Sequence, residues 1–175
     1  CALPILLADG RVLIVGGYDD VGVLNKAEAY DPSTQSFVSV SNMNVPRQGH
    51  TATLLEDGRV LIVAGNDGGI DSVSSIEIFD PNTNLFSLFS FNLTEPREMH
   101  TATMLDDGTI FIAGGLRDGI ALNSTEIIDI KNQFVFQGPD LQQARFGHCS
   151  IKGNHGTVLL IYGVNESDEF SSIEI

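Results

Sequence analysis

The sequence predicts an all-β protein made of repeated four-stranded antiparallel units, and two recurring patterns carry this prediction. The stretch HTATLLEDGRVLIVAG at residues 50–65 returns as HTATMLDDGTIFIAGG at 100–115 and, in a more altered form, as HCSIKGNHGTVLLIYG at 148–163. A glutamate recurs in step with it, at intervals of 49, 49 and 48 residues, as Glu28, Glu77, Glu126 and Glu174. A period near 50 residues indicates one structural unit used several times.

The first unit shows how each strand is predicted. Asp9-Gly10 stands between two apolar runs, which predicts a hairpin with a primed turn in which both central residues have positive φ. The run RVLIV at 11–15 is continuously apolar and β-branched, as is typical of a strand covered on both faces. AEAYD at 27–31 predicts the third strand, and residues 37–40, after a turn that begins with Asp31-Pro32, the fourth.

The later units repeat this order of strands. Repeated four-stranded units of this length are typical of β-propeller blades, each of which needs neighbours to cover its two apolar faces. We therefore expect a single propeller region over residues 1–175, with blades at about 1–40, 47–90, 97–137 and 145–175, the first and last incomplete. We also expect the chain to be a piece of a larger propeller, whose open strand edges favour edge-to-edge self-association.

Three features make the sequence resemble a known repeat family. They are a double glycine after the second strand, a Tyr/Phe-Asp pair ending the third strand, and an aromatic residue in the fourth strand. Their positions are Gly16-Gly17, Gly114-Gly115, reduced forms at Ala64-Gly65 and Gly163-Val164, then Tyr30-Asp31, Phe79-Asp80, and Phe37, Phe86 and Phe134. With them the chain resembles the kelch repeat, in particular the kelch-type propellers of galactose oxidase relatives. It departs from that pattern in having no tryptophan, the usual aromatic of the fourth strand.

Composition excludes some partners. The formal charge of -14 and the pI near 4.3 argue against binding to nucleic acid or to an anionic membrane, because both would repel the chain. Cys1 and Cys149 form no disulfide framework and no CxxC metal motif. The sequence shows neither a run of 18 apolar residues nor a signal peptide, and it assigns no compartment.

One end of the predicted propeller carries the candidate recognition surface. In an up-and-down blade the loops between second and third strands lie at the same end as the connections between blades. These loops are long and unlike one another, at residues 18–26, 66–75, 116–124 and 164–171, whereas the turns at the other end are short and uniform. Variable loops on a repeated scaffold are where binding specificity usually lies. The candidate binding residues in these loops are Asp19, Asp67, Arg117 and Asp118.

An arginine three residues before each blade histidine completes the candidate set, as Arg47, Arg97 and Arg145. One interpretation is a ring of guanidinium groups that holds carboxylates of a partner through bidentate hydrogen bonds. The other is that each arginine pairs with a carboxylate of the scaffold, for which the recurring glutamates are the obvious candidates. Repetition in every unit favours the second interpretation, because a ligand seldom needs every blade equally.

The repeated histidines, His50, His100 and His148, raise the question of a metal. A position repeated in each blade is more often a hydrogen-bonded residue of the inner strand, so we expect no metal and no cofactor. The galactose oxidase resemblance implies a copper radical oxidase as one alternative, but the chain offers only three tyrosines, Tyr18, Tyr30 and Tyr162, none in a setting distinct from the repeat.

These observations favour a non-catalytic scaffold that binds a protein partner through the loops. No catalytic motif of a known type appears in the sequence. The alternative is a part of a galactose oxidase-like enzyme, or of a carbohydrate-binding propeller, whose active residues lie outside this chain.

Overall fold

The computed structural model describes residues 2–69, 71–169 and 173–174, and all the regular structure within them is β. It consists of four antiparallel sheets of three or four strands, which follow one another along the chain, and one two-stranded ribbon. This confirms the all-β propeller that the sequence predicts.

The strands fall into four blades. Blade 1 comprises β1 (Leu3–Leu6), β2 (Val12–Val15), β3 (Ala27–Asp31) and β4 (Ser36–Ser39). Blade 2 comprises β5 (Thr51–Leu54), β6 (Val60–Asn66), β7 (Ser72–Asp80) and β8 (Leu85–Leu88). Blade 3 comprises β9 (Thr101–Met104), β10 (Ile110–Ala113), β13 (Thr125–Asp129) and β14 (Phe134–Gln137), with a short ribbon of β11 (Leu116–Arg117) and β12 (Ile120–Ala121) in its loop. Blade 4 comprises β15 (Cys149–Lys152), β16 (Val158–Ile161) and β17 (Ile173–Glu174).

The first strands lie side by side in the order β1, β5, β9 and β15, which makes them the inner strands of the propeller. Successive side chains of β6 therefore point alternately toward blade 1 and toward blade 3. Val60 and Ile62 pack with the core of blade 1, whereas Leu61 and Val63 pack with Ile110 and its neighbours in blade 3. A strand covered on both faces is apolar at every position, which explains the uninterrupted apolar run.

The Asp-Gly turns differ from the prediction in blades 1 to 3. In blade 1 the N–H of Gly10 bonds to the carbonyl of Leu7 at 3.1 Å, and only Gly10 of this turn has positive φ. The Asp9 carboxylate accepts the N–H of Arg11 at 3.0 Å, which supports a longer turn that ends in a glycine bulge. In blade 4 His155 and Gly156 both have positive φ, at 58° and 76°, so the primed turn occurs there instead.

The second-to-third loops also differ from the prediction. In blade 2 the strands β6 and β7 are longer than predicted. The connection between them is therefore residues 67–71, and not 66–75 as predicted. In blade 3 the loop itself folds back as the ribbon of β11 and β12. The part of the chain that the structure describes contains no helix long and apolar enough to cross a membrane.

Candidate functional site

The three repeated arginines lie inside the blades. Their side chains are between 0% and 1% exposed, and each forms an ion pair with the recurring glutamate of its own blade. The pairs are Arg47 with Glu77 at 2.8 Å, Arg97 with Glu126 at 3.0 Å and Arg145 with Glu174 at 3.3 Å. The repeat therefore positions one internal guanidinium–carboxylate pair in each of blades 2, 3 and 4.

Each pair attaches the connection between two blades to the blade that follows. In blade 2, Arg47 donates to the carbonyl of Ala64 at 2.7 Å, where the pairing of β6 with β7 shifts register. The carboxylate of Glu77 accepts the backbone N–H groups of Asn44 and Val45, at 2.7 and 3.0 Å. Both charged groups thus have hydrogen bonds to the backbone in addition to the ion pair, as buried ions require, whereas Nε of Arg47 has no partner among the described residues.

This geometry corrects the location assigned to the arginines. They were candidates for an open, carboxylate-binding surface, but Arg47, Arg97 and Arg145 are buried and bonded to the scaffold. The second interpretation, pairing with the recurring glutamates, accounts for three of the four glutamates. Glu28, the recurring glutamate of blade 1, is exposed.

The double glycine is the point where the next blade makes contact. The N–H of Gly17 donates to the carbonyl of Arg47 at 2.9 Å, and the pattern recurs from Gly115 to Arg145. A Cβ at the first glycine, Gly16, would lie only 2.3 Å from the Arg47 carbonyl oxygen. In blade 4 the structure places Tyr162 and Gly163 at these two positions, with φ of 63° and 104°, and not Gly163-Val164 as the sequence pattern suggested.

Two of the three blade histidines, His100 and His148, bond to the preceding blade. Nε2 of His100 lies 3.0 Å from the hydroxyl of Thr51, and Nε2 of His148 lies 2.9 Å from that of Thr101. For His50 the equivalent position in blade 1 is Leu3, which has no hydroxyl, and no hydrogen-bond partner is found for either ring nitrogen of His50.

Burial of these rings lowers their pKa values. The pKa of His50 falls to about 3 and that of His148 to about 4, through desolvation and then through the charge of Arg47 or Arg145. For His100 the same two causes, desolvation first and Arg97 second, hold the pKa well below the usual histidine range. All three rings are therefore neutral at physiological pH.

We expect the protein to lose stability between pH 6.5 and pH 5. The unfolded chain binds a proton at each histidine near pH 6.5, whereas the folded chain does so only at its lower pKa. The stability is complete above pH 6.5 and falls as the pH drops toward the folded-state values. At pH 5.5 the loss is about 1 kcal/mol for each histidine relative to pH 7.5. Urea unfolding at a series of pH values measures it.

The matched variants are His148→Gln and His155→Asn. Replacing the buried His148 removes one of the three protons and makes the dependence on pH shallower. Replacing the exposed His155, which lies in a turn, leaves it unchanged. A free energy of unfolding that is constant from pH 7.5 to pH 5.5 would contradict the burial of neutral histidines.

The loops at the end opposite the Asp-Gly turns, here called the loop face, are bonded to one another across blades. The N–H of Ser72 in blade 2 donates to the carboxylate of Asp118 in blade 3 at 3.2 Å, and the Ser72 hydroxyl donates to the Leu116 carbonyl at 3.3 Å. The N–H of Ala121 in blade 3 donates to the carboxylate of Glu166 in blade 4. These bonds hold neighbouring loops in fixed relative positions.

The candidate loop residues fall into two places on the loop face. Asp19 and Asp67 line one groove between blades 1 and 2. Arg117, which is half-exposed, lies 3.3 Å from the carboxylate of Glu95, and Asp118 bonds to Ser72. Neither place includes the buried arginines.

Several exposed apolar side chains of this face were not anticipated from the sequence. Val21 is 95% exposed at a loop tip, Ile120 is 65% exposed in the ribbon and Tyr18 is 64% exposed. Met99 is exposed near the inner end of this face with φ of 53°, where blades 2 and 4 have Gly49 and Gly147 at similar φ. Because these residues break the repeat, comparing the repeats with one another was the signal that could have identified them.

No three His, Cys, Asp or Glu side chains come together as potential metal ligands within residues 2–69, 71–169 and 173–174. The three repeated histidines are all buried, and His100 and His148 each bond to a threonine of the preceding blade.

Comparison with known proteins shows that the sequence is similar to the kelch repeat. Residues 5–44 match the family model of the Kelch motif. Over 92 residues, half of this chain, the sequence is 33% identical to Kelch-like protein 38 of Homo sapiens, and over 90 residues it is 28% identical to an F-box/kelch-repeat protein of Arabidopsis thaliana. The matched part spans 14% of the human protein and 19% of the plant protein.

The fold also has a close match among solved structures. The structure of YjhT superimposes with a TM-score of 0.80 at 15% sequence identity, covering 93% of this chain and 58% of that one. The similarity in fold therefore extends over nearly the whole chain, beyond the residues that the sequence comparisons match. The motif match at residues 5–44, the kelch relatives and the propeller fold together make the chain similar to kelch-repeat β-propellers.

Proposed function

We propose that this chain is a non-catalytic scaffold that binds a protein partner through its loop face. The observation that carries the proposal is that unlike loops from neighbouring blades are bonded to each other, as Ser72 is to Asp118 and Ala121 to Glu166. Loops that are already ordered lose less conformational entropy on binding, which favours recognition. The kelch relatives support a propeller scaffold of the kind that commonly mediates protein interactions.

The opposite end of the propeller, here called the turn face, has a different character. Its first-to-second turns are nearly identical in blades 1 to 3, because Asp9, Asp57 and Asp107 each accept the N–H of the residue two positions on. A surface that repeats one turn offers the same contacts from each blade. The loop face instead presents a different set of side chains from each blade, which is what selective recognition requires.

The apolar side chains of the loop face support a protein as the partner. Val21 and Ile120 are 95% and 65% exposed, and both lie in loops whose backbone is ordered by hydrogen bonds. Exposed apolar groups within a polar surface are typical of positions where proteins bury area on association.

The test compares two pairs of substitutions in the intact protein. Val21→Ala with Ile120→Ala removes apolar contacts from the loop face, whereas Leu85→Ala with Leu88→Ala removes similarly exposed groups from the outer strand of blade 2. Quantitative affinity capture, followed by binding measurements with the purified partner, should show a loss of about tenfold in affinity for the first pair and little change for the second.

Both variants must first give the circular dichroism spectrum and unfolding midpoint of the wild type, which their exposure predicts. A partner that binds the loop-face variant as tightly as the wild type, or is lost equally from the outer-strand variant, would contradict the proposal.

A further inference from the structure

A groove on the loop face lies between blades 1 and 2 and has a volume of about 660 Å³. The loop after β2 forms one wall, with Tyr18, Asp19 and Val21, and the loop after β6 forms the other, with Asp67 and Gly68. Sequence repetition does not dictate this groove, because the two loops differ in length and in residues.

The first wall of the groove is a rigid turn. Backbone bonds join Asp19 and Gly22 in both directions, at 3.0 and 3.2 Å. Oδ1 of Asp19 also accepts the N–H groups of Val21 and Gly22, at 2.8 and 3.2 Å. The apolar side chain of Val21 is therefore held at the tip of an ordered turn beside the exposed ring of Tyr18.

The second wall packs closely against the first. A Cβ on Gly68 would lie 3.1 Å from Cγ2 of Val23, so glycine allows the two loops to approach. Oδ1 of Asp67 accepts the N–H of Gly69 at 2.9 Å, which fixes the direction of this carboxylate. Both aspartates are exposed and are ordered by backbone bonds before any partner binds.

The groove has a negative charge that nothing in its lining balances. Its lining residues include two carboxylates and neither lysine nor arginine. Arg47, which enters blade 2 below the groove, is buried against Glu77 and offers no charge to it. The whole chain has the same bias, with 23 acidic and 9 basic residues, three of which are the internal arginines.

We infer that this groove binds a basic segment of the protein partner, in which a lysine or arginine stands next to an apolar residue. The cation would lie between Asp19 and Asp67 and against the ring of Tyr18, while the apolar neighbour contacts Val21. Carboxylates give charge-assisted hydrogen bonds to such a cation, and an aromatic ring adds a cation–π contact. The inference rests on the proposed function and names the chemistry of the partner at one site.

The test uses peptides selected from a random displayed library on the intact protein. We expect the selected peptides to be enriched in lysine or arginine next to aliphatic or aromatic residues. The decisive variant is Asp19→Asn with Asp67→Asn, because asparagine keeps the side-chain oxygen that accepts the backbone N–H groups and loses only the charge. Its affinity for the peptides should fall about tenfold, and the wild-type affinity should fall with added salt.

The matched control is Asp31→Asn with Asp107→Asn on the turn face. These aspartates also accept a backbone N–H from the residue two positions on, at 2.8 and 2.9 Å, and the variant has the same net charge as the decisive one. Peptide affinity should stay within about twofold of the wild type, because long-range effects of two distant charges are screened.

The outcomes separate this inference from the proposed function. Selected peptides that are neutral or acidic, or that bind the Asp19→Asn/Asp67→Asn variant unchanged, would overturn the basic-segment inference. If those peptides still lose affinity for the Val21→Ala/Ile120→Ala variant, the loop face remains the binding surface. Failure to select any peptide, or selection of peptides that bind every variant equally, would count against both.

Discussion

Replacing Glu77 by alanine is expected to lower the free energy of unfolding by about 3–5 kcal/mol, the usual effect of removing one partner from a buried ion pair. The substitution would leave the guanidinium of Arg47 buried without its carboxylate and would remove the acceptor of the Asn44 and Val45 N–H groups. Urea denaturation followed by circular dichroism measures the loss.

Glu28→Ala is the matched control, because Glu28 holds the same position in the repeat but is exposed in blade 1. Its effect should stay within about 0.5 kcal/mol, as for most surface substitutions. Equal losses for the two variants would show that the stability comes from the glutamate position itself and not from the internal pair with arginine.

Replacing Gly115 by alanine is expected to lower the free energy of unfolding by about 2–5 kcal/mol. A positive φ costs an L-residue roughly 1–2 kcal/mol, and overpacking adds about 1–3 kcal/mol. Gly115 has φ of 103°, and a Cβ there would lie 2.6 Å from the carbonyl oxygen of Glu98 and 2.9 Å from Cβ of His100. The measurement is again urea unfolding.

Gly108→Ala, in the turn of the same blade, separates these two causes. Gly108 also has positive φ, at 82°, but no atom lies within 4 Å of the position of its Cβ. The loss there should be only about 1–2 kcal/mol, the conformational part alone. If Gly115→Ala destabilised the protein no more than Gly108→Ala, the close approach of the inner strand would not be the reason for glycine at this position.

The repeated features of the chain were predictable from the sequence. The period located the strands, and the shared spacing of arginine and glutamate pointed to their pairing, as Arg97 and Glu126 show. The pairing was predictable because the propeller repeats the same contact in successive blades, so the same residue types recur at the same spacing. The functional interpretation of the arginines could not be excluded from spacing alone, because spacing does not reveal which side of the blade a long side chain enters.

The features that break the repeat were the ones that sequence reasoning missed. The position of Tyr162 became clear only from the pairing of β15 with β16, because Gly163 could be aligned with either glycine of the motif. The groove between blades 1 and 2 depends on the conformations of two unlike loops, and the internal repeat does not predict those conformations. Tyr18 and Val21 therefore stand out only in the structure, where both side chains are exposed.

The distribution of charge connects the scaffold with its surface. The buried arginines pair with the glutamates of their own blades. The chain has only 9 basic residues and a formal charge of -14, so these internal pairs leave few cations on the surface. The remaining surface is acidic, which speeds association with a cationic partner at low salt. This is consistent with the basic segment inferred for the groove.

The most direct test of the loop face as the recognition surface is hydrogen–deuterium exchange of the protein with and without its captured partner. We expect the partner to slow exchange in the loops at residues 18–23 and 116–121, while the turns at 55–59 and 105–109 exchange at the same rate as in the free protein. Protection confined to the turns, with unchanged exchange in the loops, would contradict the account.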